Sequence, residues 1–402
     1  MNILILSTTN SGGAANACIR LHQGLLSIGV NSKVLVLQKN NTKIPEIYPF
    51  LEVYEPRTLF KRLKKAPRVL LFNKKRKKNL EKRPSDELFS FCETLHDIKD
   101  HHLYNWADII NIHWVANFLD YPSFFTSNTK PIVWTLHDML LFTGGYHYLK
   151  GFPLNSFKDL ILQQYTLKKS LFENQHFTIV SPSIWLKNCA ENAQELYPNA
   201  THKLIPYGIQ THIFKPYTKD FARDQLNIPK DKKIILFVAA SVDGKRKGIN
   251  YLLDALEKIK DKNVELAIIG KNINKLNLDP QKSHELGYLS DENLIAMAYA
   301  AADVFVIPSI EDNLPNTVIE SLCCGTPVIG FDIGGIPDMI IPGKNGEICS
   351  TIDSNCLADL IITSLKTKYD RAWIRQNAVE KYDLKIQAES YLSLFKFILS
   401  QK

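Results

Sequence analysis

The chain of 402 residues is 45% hydrophobic and 22% charged, an ordinary globular balance that excludes a disordered or fibrous chain. No apolar run approaches the roughly 20 residues of a membrane-spanning helix, and seven cysteines with no paired short spacing beyond Cys323-Cys324 argue against a disulfide framework and a zinc site. The net charge of +8 comes from one place: residues 57–83 hold thirteen Lys or Arg against Glu81, leaving 36 basic and 40 acidic residues elsewhere.

In chain order, the first predicted strand covers residues 2–7. It starts at the N-terminus with no charged and apolar leader before it, and with the cysteine usage this fits a reducing cytoplasm. A helix over 14–28 follows, with Gly29 placed to end it before a strand over 33–37. Residues 57–83 then interrupt the pattern, with Leu59, Phe60, Leu63, Val69, Leu70, Leu71 and Phe72 interleaved among basic residues. Such a segment is a solvated excursion, an anionic-lipid contact or a non-specific nucleic-acid contact, and its basic residues alone do not separate the three. Strands over 109–114, 132–137, 177–180 and 203–206 complete a first series. A second series has strands over 233–239, 264–269, 304–307 and 327–331, with helices over 249–259 and 291–300 between them. Alternation of this kind predicts parallel sheets covered on both faces.

Two series of this length predict an α/β chain of two Rossmann-like domains facing a central cleft, with ligands beyond the carboxyl ends of the strands. The expected division is 1–206, carrying the basic excursion 57–83, then 207–375, then a helical stretch 376–402. Pro216 and Pro229 mark the linker region 207–229.

Four constellations sit at predicted strand ends. Ser11-Gly12-Gly13 opens the first helix, where glycines let the backbone approach a phosphate. It is not a Gly-x-Gly-x-x-Gly fingerprint, which argues against a nicotinamide or flavin cofactor. His137 and Asp138 end the strand over 132–137, with Thr143-Gly144-Gly145-Tyr146 beyond, and His113-Trp114 end the neighbouring strand as wall residues. Lys245-Arg246-Lys247-Gly248 follows the strand over 233–239, where cations can stabilise a departing diphosphate. Last comes Pro308-Ser309-Ile310-Glu311-Asp312-Asn313-Leu314-Pro315-Asn316, leading into a helix that carries Glu320 eight residues after Asp312. Pro315 suits the first helical turn, whose backbone N–H groups make an anion site.

The last stretch, with Gly325-Thr326-Pro327-Val328 after it, resembles the donor site of glycosyltransferase family 4, retaining enzymes of the GT-B fold. Ile205-Pro206-Tyr207-Gly208-Ile209 with Phe214-Lys215-Pro216 resembles the family's interdomain segment, and Gly334-Gly335-Ile336-Pro337-Asp338 with Asn345-Gly346 resembles its distal donor-domain turns. The closing stretch from Trp373 resembles a helix that crosses back onto the first domain. The resemblance implies that Glu320 binds the ribose of a nucleotide donor. It implies that Asp312, in place of the family's glutamate, contacts the donor sugar. Asn313, Leu314, Pro315 and Asn316 then face sugar and diphosphate, and Lys247-Gly248 match a Lys-Gly pair that stabilises the diphosphate. Arg246 or Lys245 stands in for an upstream arginine, which Ala240-Ser241 lack. Gly12 and Gly13 lie over the donor phosphate, His137 approaches the donor, and Asp138, Thr143 and Gly144 lie on the acceptor side. The implied activity is retaining transfer of a sugar from UDP or GDP to a hydroxyl of a glycan or lipid-linked glycan in surface polysaccharide assembly, at the inner face of the cytoplasmic membrane. No metal and no cofactor beyond the donor are implied, and nucleic acid is not the expected partner. A nucleotide-sugar epimerase of the same fold and a non-catalytic scaffold remain the alternatives.

Overall fold

The computed structural model describes residues 1–40, 42–51, 67, 70, 71, 74, 78, 81 and 88–401. Most of the basic segment 57–83 therefore lies outside the described residues. The chain divides into two compact units, Met1–Ile205 with Ala388–Lys402, and Pro206–Gln387.

The first unit is built on seven strands: β1 (Asn2–Thr9), β2 (Asn31–Gln38), β3 (Ile47–Pro49), β4 (Ile109–Ile112), β5 (Ile132–Thr135), β6 (Thr178–Ser181) and β7 (Thr201–Leu204), in the order β3-β2-β1-β4-β5-β6-β7. Each neighbouring pair is parallel. Ile3, Leu4, Ile5 and Leu6 of β1 are all fully buried, as a strand covered on both faces requires. One face packs on a large aromatic core around Phe124, Phe125, Trp134 and Phe172. The other packs on Cys18, Leu21 and Leu25 of the helix Gly13–Ser27 and on Ala388, Tyr391, Leu394 and Phe395 of the terminal helix Leu384–Ser400. Gly29, at φ 76, ends the first helix as expected. Its N–H bonds the Leu26 carbonyl and the Val30 N–H bonds that of Leu25, the paired C-terminal cap.

The second unit holds β8 (Lys233–Ser241), β9 (Val264–Lys271), β10 (Ser283–Gly287), β11 (Val304–Ile307), β12 (Val328–Phe331) and β13 (Gly346–Cys349), all parallel, in the order β10-β9-β8-β11-β12-β13. Both sheets reverse their strand order beside their first strand, between β1 and β4 and between β8 and β11. At such a switch point the loops from the two adjacent strand ends diverge and leave room for a ligand. The helix Arg371–Tyr382, expected to travel with the terminal helix, stays in the second unit; the chain returns to the first unit at Ala388.

Candidate functional site

In the second unit the loops after β8 and β11 meet at the switch point. After β8, Lys245–Lys247 form a single tight turn closed by Gly248 at φ 67. A Cβ on Gly248 would stand 1.9 Å from the Pro308 carbonyl oxygen, so only glycine lets the two loops approach. The Ile310 N–H donates to the Arg246 carbonyl at 2.9 Å, fastening them together.

That junction carries the charges. Asp312 is buried, and its Oδ2 accepts from Lys247 Nζ at 2.6 Å and from Ser309 Oγ at 3.3 Å. Its Oδ1 accepts from the Asn313 N–H at 3.1 Å and lies 3.5 Å from Arg246 Nη1, which also donates to the Glu311 carbonyl at 2.6 Å. Burial pushes the Asp312 carboxyl up, but the two cations and its hydrogen bonds outweigh that and hold it down at about 2. Burial moves Lys247 below the ordinary lysine range, against the opposing pull of Asp312. Asp312 is pinned through its backbone too. Gly334, at φ 55, abuts the Asp312 carbonyl so closely that a Cβ would come within 1.7 Å, and Gly335 N–H donates to that oxygen at 3.3 Å.

Pro315 is the cap residue of the helix Asn316–Cys323 and not part of its first turn, and the cap makes no side-chain hydrogen bond. Asn313 and Leu314 are buried just before it. Glu320 is buried on the helix, and its Oε2 accepts from Tyr299 Oη at 3.2 Å. The structure thus brings Arg246, Lys247 and Asp312 into one ion cluster, and sets Glu320 on a separate support. Ser309, which holds Asp312, lies inside the singled-out stretch 308–316, whereas Tyr299, which holds Glu320, carries no pattern in the sequence that distinguishes it from a core residue.

In the first unit, Gly12 caps the first helix at φ 103, and added Cβ atoms on Gly12 or Gly13 would meet nothing within 4 Å. The turn borders open space and is held from behind by Asn40, which donates to Asn10 Oδ1 at 2.7 Å and to Ser11 Oγ at 2.6 Å. At the ends of β4 and β5, His113 Nδ1 and His137 Nε2 are 2.9 Å apart, both rings buried. Burial, and the neighbouring imidazole, push His113 well below its ordinary value. Burial also lowers His137, to about 4, against the pull of Asp138. Two neutral rings therefore share one proton across that bond.

Asp138 faces a different network. Its Oδ2 accepts from His147 Nδ1 at 2.6 Å and Trp114 Nε1 at 2.9 Å, and its Oδ1 from the Leu140 N–H at 2.9 Å. Ser90 Oγ lies 2.9 Å from His147 Nε2. Buried Lys168 donates to the Leu140 and Thr143 carbonyls and so fixes the whole loop. Thr143 and Gly144 are buried, and a Cβ on Gly144 would stand 2.2 Å from the Ile161 carbonyl oxygen. Gly145, at φ 119, presses on the Phe89 ring in the same way. Packing alone accounts for both glycines. Trp114, expected as a wall residue, and His147, which carries no signal in the sequence, are the partners that hold Asp138. Among the described residues no group of three His, Cys, Asp or Glu is placed to hold a metal.

Residues 218–381 match the family model described as Glycosyl transferases group 1. A Bacillus subtilis glycosyltransferase named for teichuronic acid biosynthesis is 29% identical over 189 residues, 46% of each chain. A Campylobacter jejuni N,N'-diacetylbacillosaminyl-diphospho-undecaprenol alpha-1,3-N-acetylgalactosaminyltransferase is 24% identical over 265 residues, 64% of this chain and 69% of its own. The match to the Bacillus protein thus spans less than half of that relative's length. Among solved structures, Anabaena HepE in complex with UDP-glucose superposes with a TM-score of 0.68 at 18% identity, over 98% of this chain and 99% of that one. At that identity the likeness is one of fold, and with the two parallel sheets it gives the GT-B architecture.

Proposed function

We propose, from the match of residues 218–381 to the glycosyl transferases group 1, that the protein is a retaining glycosyltransferase. It moves a sugar from a nucleoside diphosphate to a hydroxyl of a glycan or lipid-linked glycan. The observation that carries this reading is the cluster of Arg246, Lys247 and Asp312 at the switch point of the second sheet. Two cations and one carboxylate leave a net positive charge where a diphosphate would lie, and such pre-set charge stabilises a leaving group as it forms. Lys247 and Arg246 take the diphosphate, Asp312 orients the sugar and Glu320 holds the ribose. Asn313 to Asn316 offer backbone to sugar and phosphate, and Gly12 and Gly13 give the donor phosphates room. In the first unit, the family resemblance alone assigns His137 to the donor and Asp138 to the acceptor.

In the transfer, the bond from the anomeric carbon to the diphosphate oxygen breaks and a bond to the acceptor oxygen forms on the same face. The acceptor's proton passes to the departing phosphate oxygen, so no protein nucleophile is required. With two cations in place the reaction proceeds without a metal. The teichuronic and undecaprenol-linked relatives favour a surface polysaccharide as product. No described helix is long and apolar enough to cross a membrane; a lipid-linked acceptor would be met from the cytoplasmic side, with the basic segment 57–83 near anionic lipid.

Calorimetric titration with UDP, GDP and their sugar conjugates tests this, with Glu320→Ala beside the parent. Binding of one nucleotide, lost in the variant, supports the donor role and identifies the base. A folded parent that binds none overturns it.

A further inference from the structure

Ser90, His147 and Asp138 of the first unit form one hydrogen-bonded line, and the transfer reaction gives the first two nothing to do. Ser90 Oγ lies 2.9 Å from His147 Nε2, and His147 Nδ1 lies 2.6 Å from Asp138 Oδ2. Burial pushes the Asp138 carboxyl up, but the His147 ring beside it and the bonds from His147 and the Leu140 N–H bring it below its ordinary value. An ionised carboxylate only accepts, so His147 Nδ1 carries the hydrogen, and in the neutral ring Nε2 accepts from the Ser90 hydroxyl.

The same order of groups activates a serine in acyl transfer, but here the two ends of the line differ. Ser90 is 3% exposed, its N–H donates to the Gly145 carbonyl at 2.8 Å, and Gly145 is pressed on the Phe89 ring. Asp138 instead borders a cavity with His113, Trp114, Thr135 and His137, which has room for little more than one hydroxyl and which neither Ser90 nor His147 lines. The line therefore opens at its carboxylate and not at its serine. The loop has a separate fastening, Lys168 on the Leu140 and Thr143 carbonyls.

Two observations say what the cavity takes. A carboxylate has about four acceptor positions; His147, Trp114 and the Leu140 N–H fill three on Asp138 and leave one on Oδ1. His113 Nε2, in the same wall, is buried and has no hydrogen-bond partner among the described residues, a condition that costs free energy. A hydroxyl offers a donor and an acceptor at once. A phosphate or carboxylate is too large for the cavity and would meet the like charge of Asp138.

We propose that Asp138 binds a single neutral sugar hydroxyl in this cavity, and that His147, backed by Ser90, is the positioning residue that holds the carboxylate turned so that one place on Oδ1 stays open. Taking that hydroxyl as one of the acceptor rests on the transfer reading. The binding itself needs no nucleotide, so either can fail alone.

The full chain, labelled with heavy nitrogen at tryptophan and histidine, is titrated with the methyl glycosides of glucose, galactose and N-acetylglucosamine and followed by nuclear magnetic resonance. Trp114 Nε1 donates to the same carboxylate, so its indole N–H signal, assigned with Trp114→Phe, reports the site. That signal shifts with at least one glycoside. Asp138→Asn and His147→Gln, folded by circular dichroism, raise the Kd at least about tenfold. His147→Asn stays within about threefold, because its amide nitrogen takes the place of Nδ1 and still donates to Asp138. The longer glutamine amide takes the place of Nε2 and serves Ser90 alone, whereas a purely structural role would treat the two variants alike. Should His147→Gln fail to fold, the histidine nitrogen shifts of the parent carry the test, with the proton on His147 Nδ1 and its signal moving on titration. No shift of Trp114 with any glycoside, an unchanged Kd in Asp138→Asn, equal losses in His147→Asn and His147→Gln, or a His147 Nδ1 without its proton overturns the proposal. So does labelling of Ser90 by a fluorophosphonate, which would make the serine a nucleophile.

Discussion

The two units place their chemistry at the same point of the same kind of sheet and fill it in opposite ways. At the β8/β11 switch point, full charges face each other, Lys247 and Arg246 against Asp312. At the β1/β4 switch point and the neighbouring end of β5, two imidazoles share a bond with neither ring charged, and the nearby Asp138 is held by N–H donors. The difference teaches how each site can respond. An ion cluster can exchange one anion for another, as it must if a diphosphate enters. A buried neutral pair cannot gain a charge without losing stability, so it suits a neutral partner such as a sugar or alcohol hydroxyl.

The comparison breaks most easily at Lys247. Lys247→Met leaves Asp312 with Arg246 at 3.5 Å as its remaining cation, and removes charge from the place where the leaving group gains it. Transfer from a nucleotide-sugar donor should fall about 10²–10³-fold in kcat, and a variant within threefold of the parent would end the assignment. The same pair predicts an acid response. The Asp312 carboxyl sits at about 2, below its ordinary 3.8. The stabilisation is present in full above pH about 4 and is lost as the pH falls toward 2. In Lys247→Met the folded carboxyl moves back toward its ordinary value, so this acid loss becomes smaller.

The first unit sharpens the contrast with the opposite kind of titration. His137 falls from 6.5 to about 4 in the folded chain. The unfolded chain therefore binds the proton first, and stability is full above pH about 6.5 and declines as the pH drops toward 4. Between pH 7 and pH 5 this amounts to about 2 kcal/mol from His137. His137→Gln should shrink the decline by that amount, leaving the part due to His113. Urea unfolding followed by tryptophan fluorescence reads it in the right unit, since Trp106, Trp114, Trp134 and Trp185 all belong there. A decline unchanged in the variant would show that the ring is not buried neutral.

The sequence made the parallel strands legible because each is a short β-branched run between turn signals, and β11 falls on the expected residues 304–307. It did not reveal β3, β10 and β13. Ile47–Pro49 is only three residues long, and Ser283–Gly287 is a half-exposed edge strand with little apolar signal. At the site, the acidic and basic residues were legible as types at strand ends. Tyr299 and His147 were not, because such partners are recognised by what they touch. Gly334 is a sharper case. Its role is to admit the Asp312 carbonyl from 22 residues away, a contact that the sequence alone cannot reveal.

The smallest expected effect concerns how the terminal helix belongs to the first unit. Thr135 Oγ1, at the end of β5, lies 2.8 Å from Tyr391 Oη on the helix Leu384–Ser400. Thr135 Oγ1 also lies 3.0 Å from Asn111 Oδ1 and accepts from Asn111 Nδ2 at 3.3 Å. Tyr391→Phe removes one hydroxyl and leaves Thr135 both of its contacts with Asn111, so the threonine is not stranded without a partner. The cost is one net hydrogen bond, about 1 kcal/mol, and the tryptophan-reported transition of the first unit should move to lower urea by that amount. Phe397→Ser, on the same helix but 59% exposed, should move it by less than about half as much. If Tyr391→Phe left that transition in place, the 256 residues that separate the two hydroxyls along the chain would not be bridged by a bond that matters to the unit's stability.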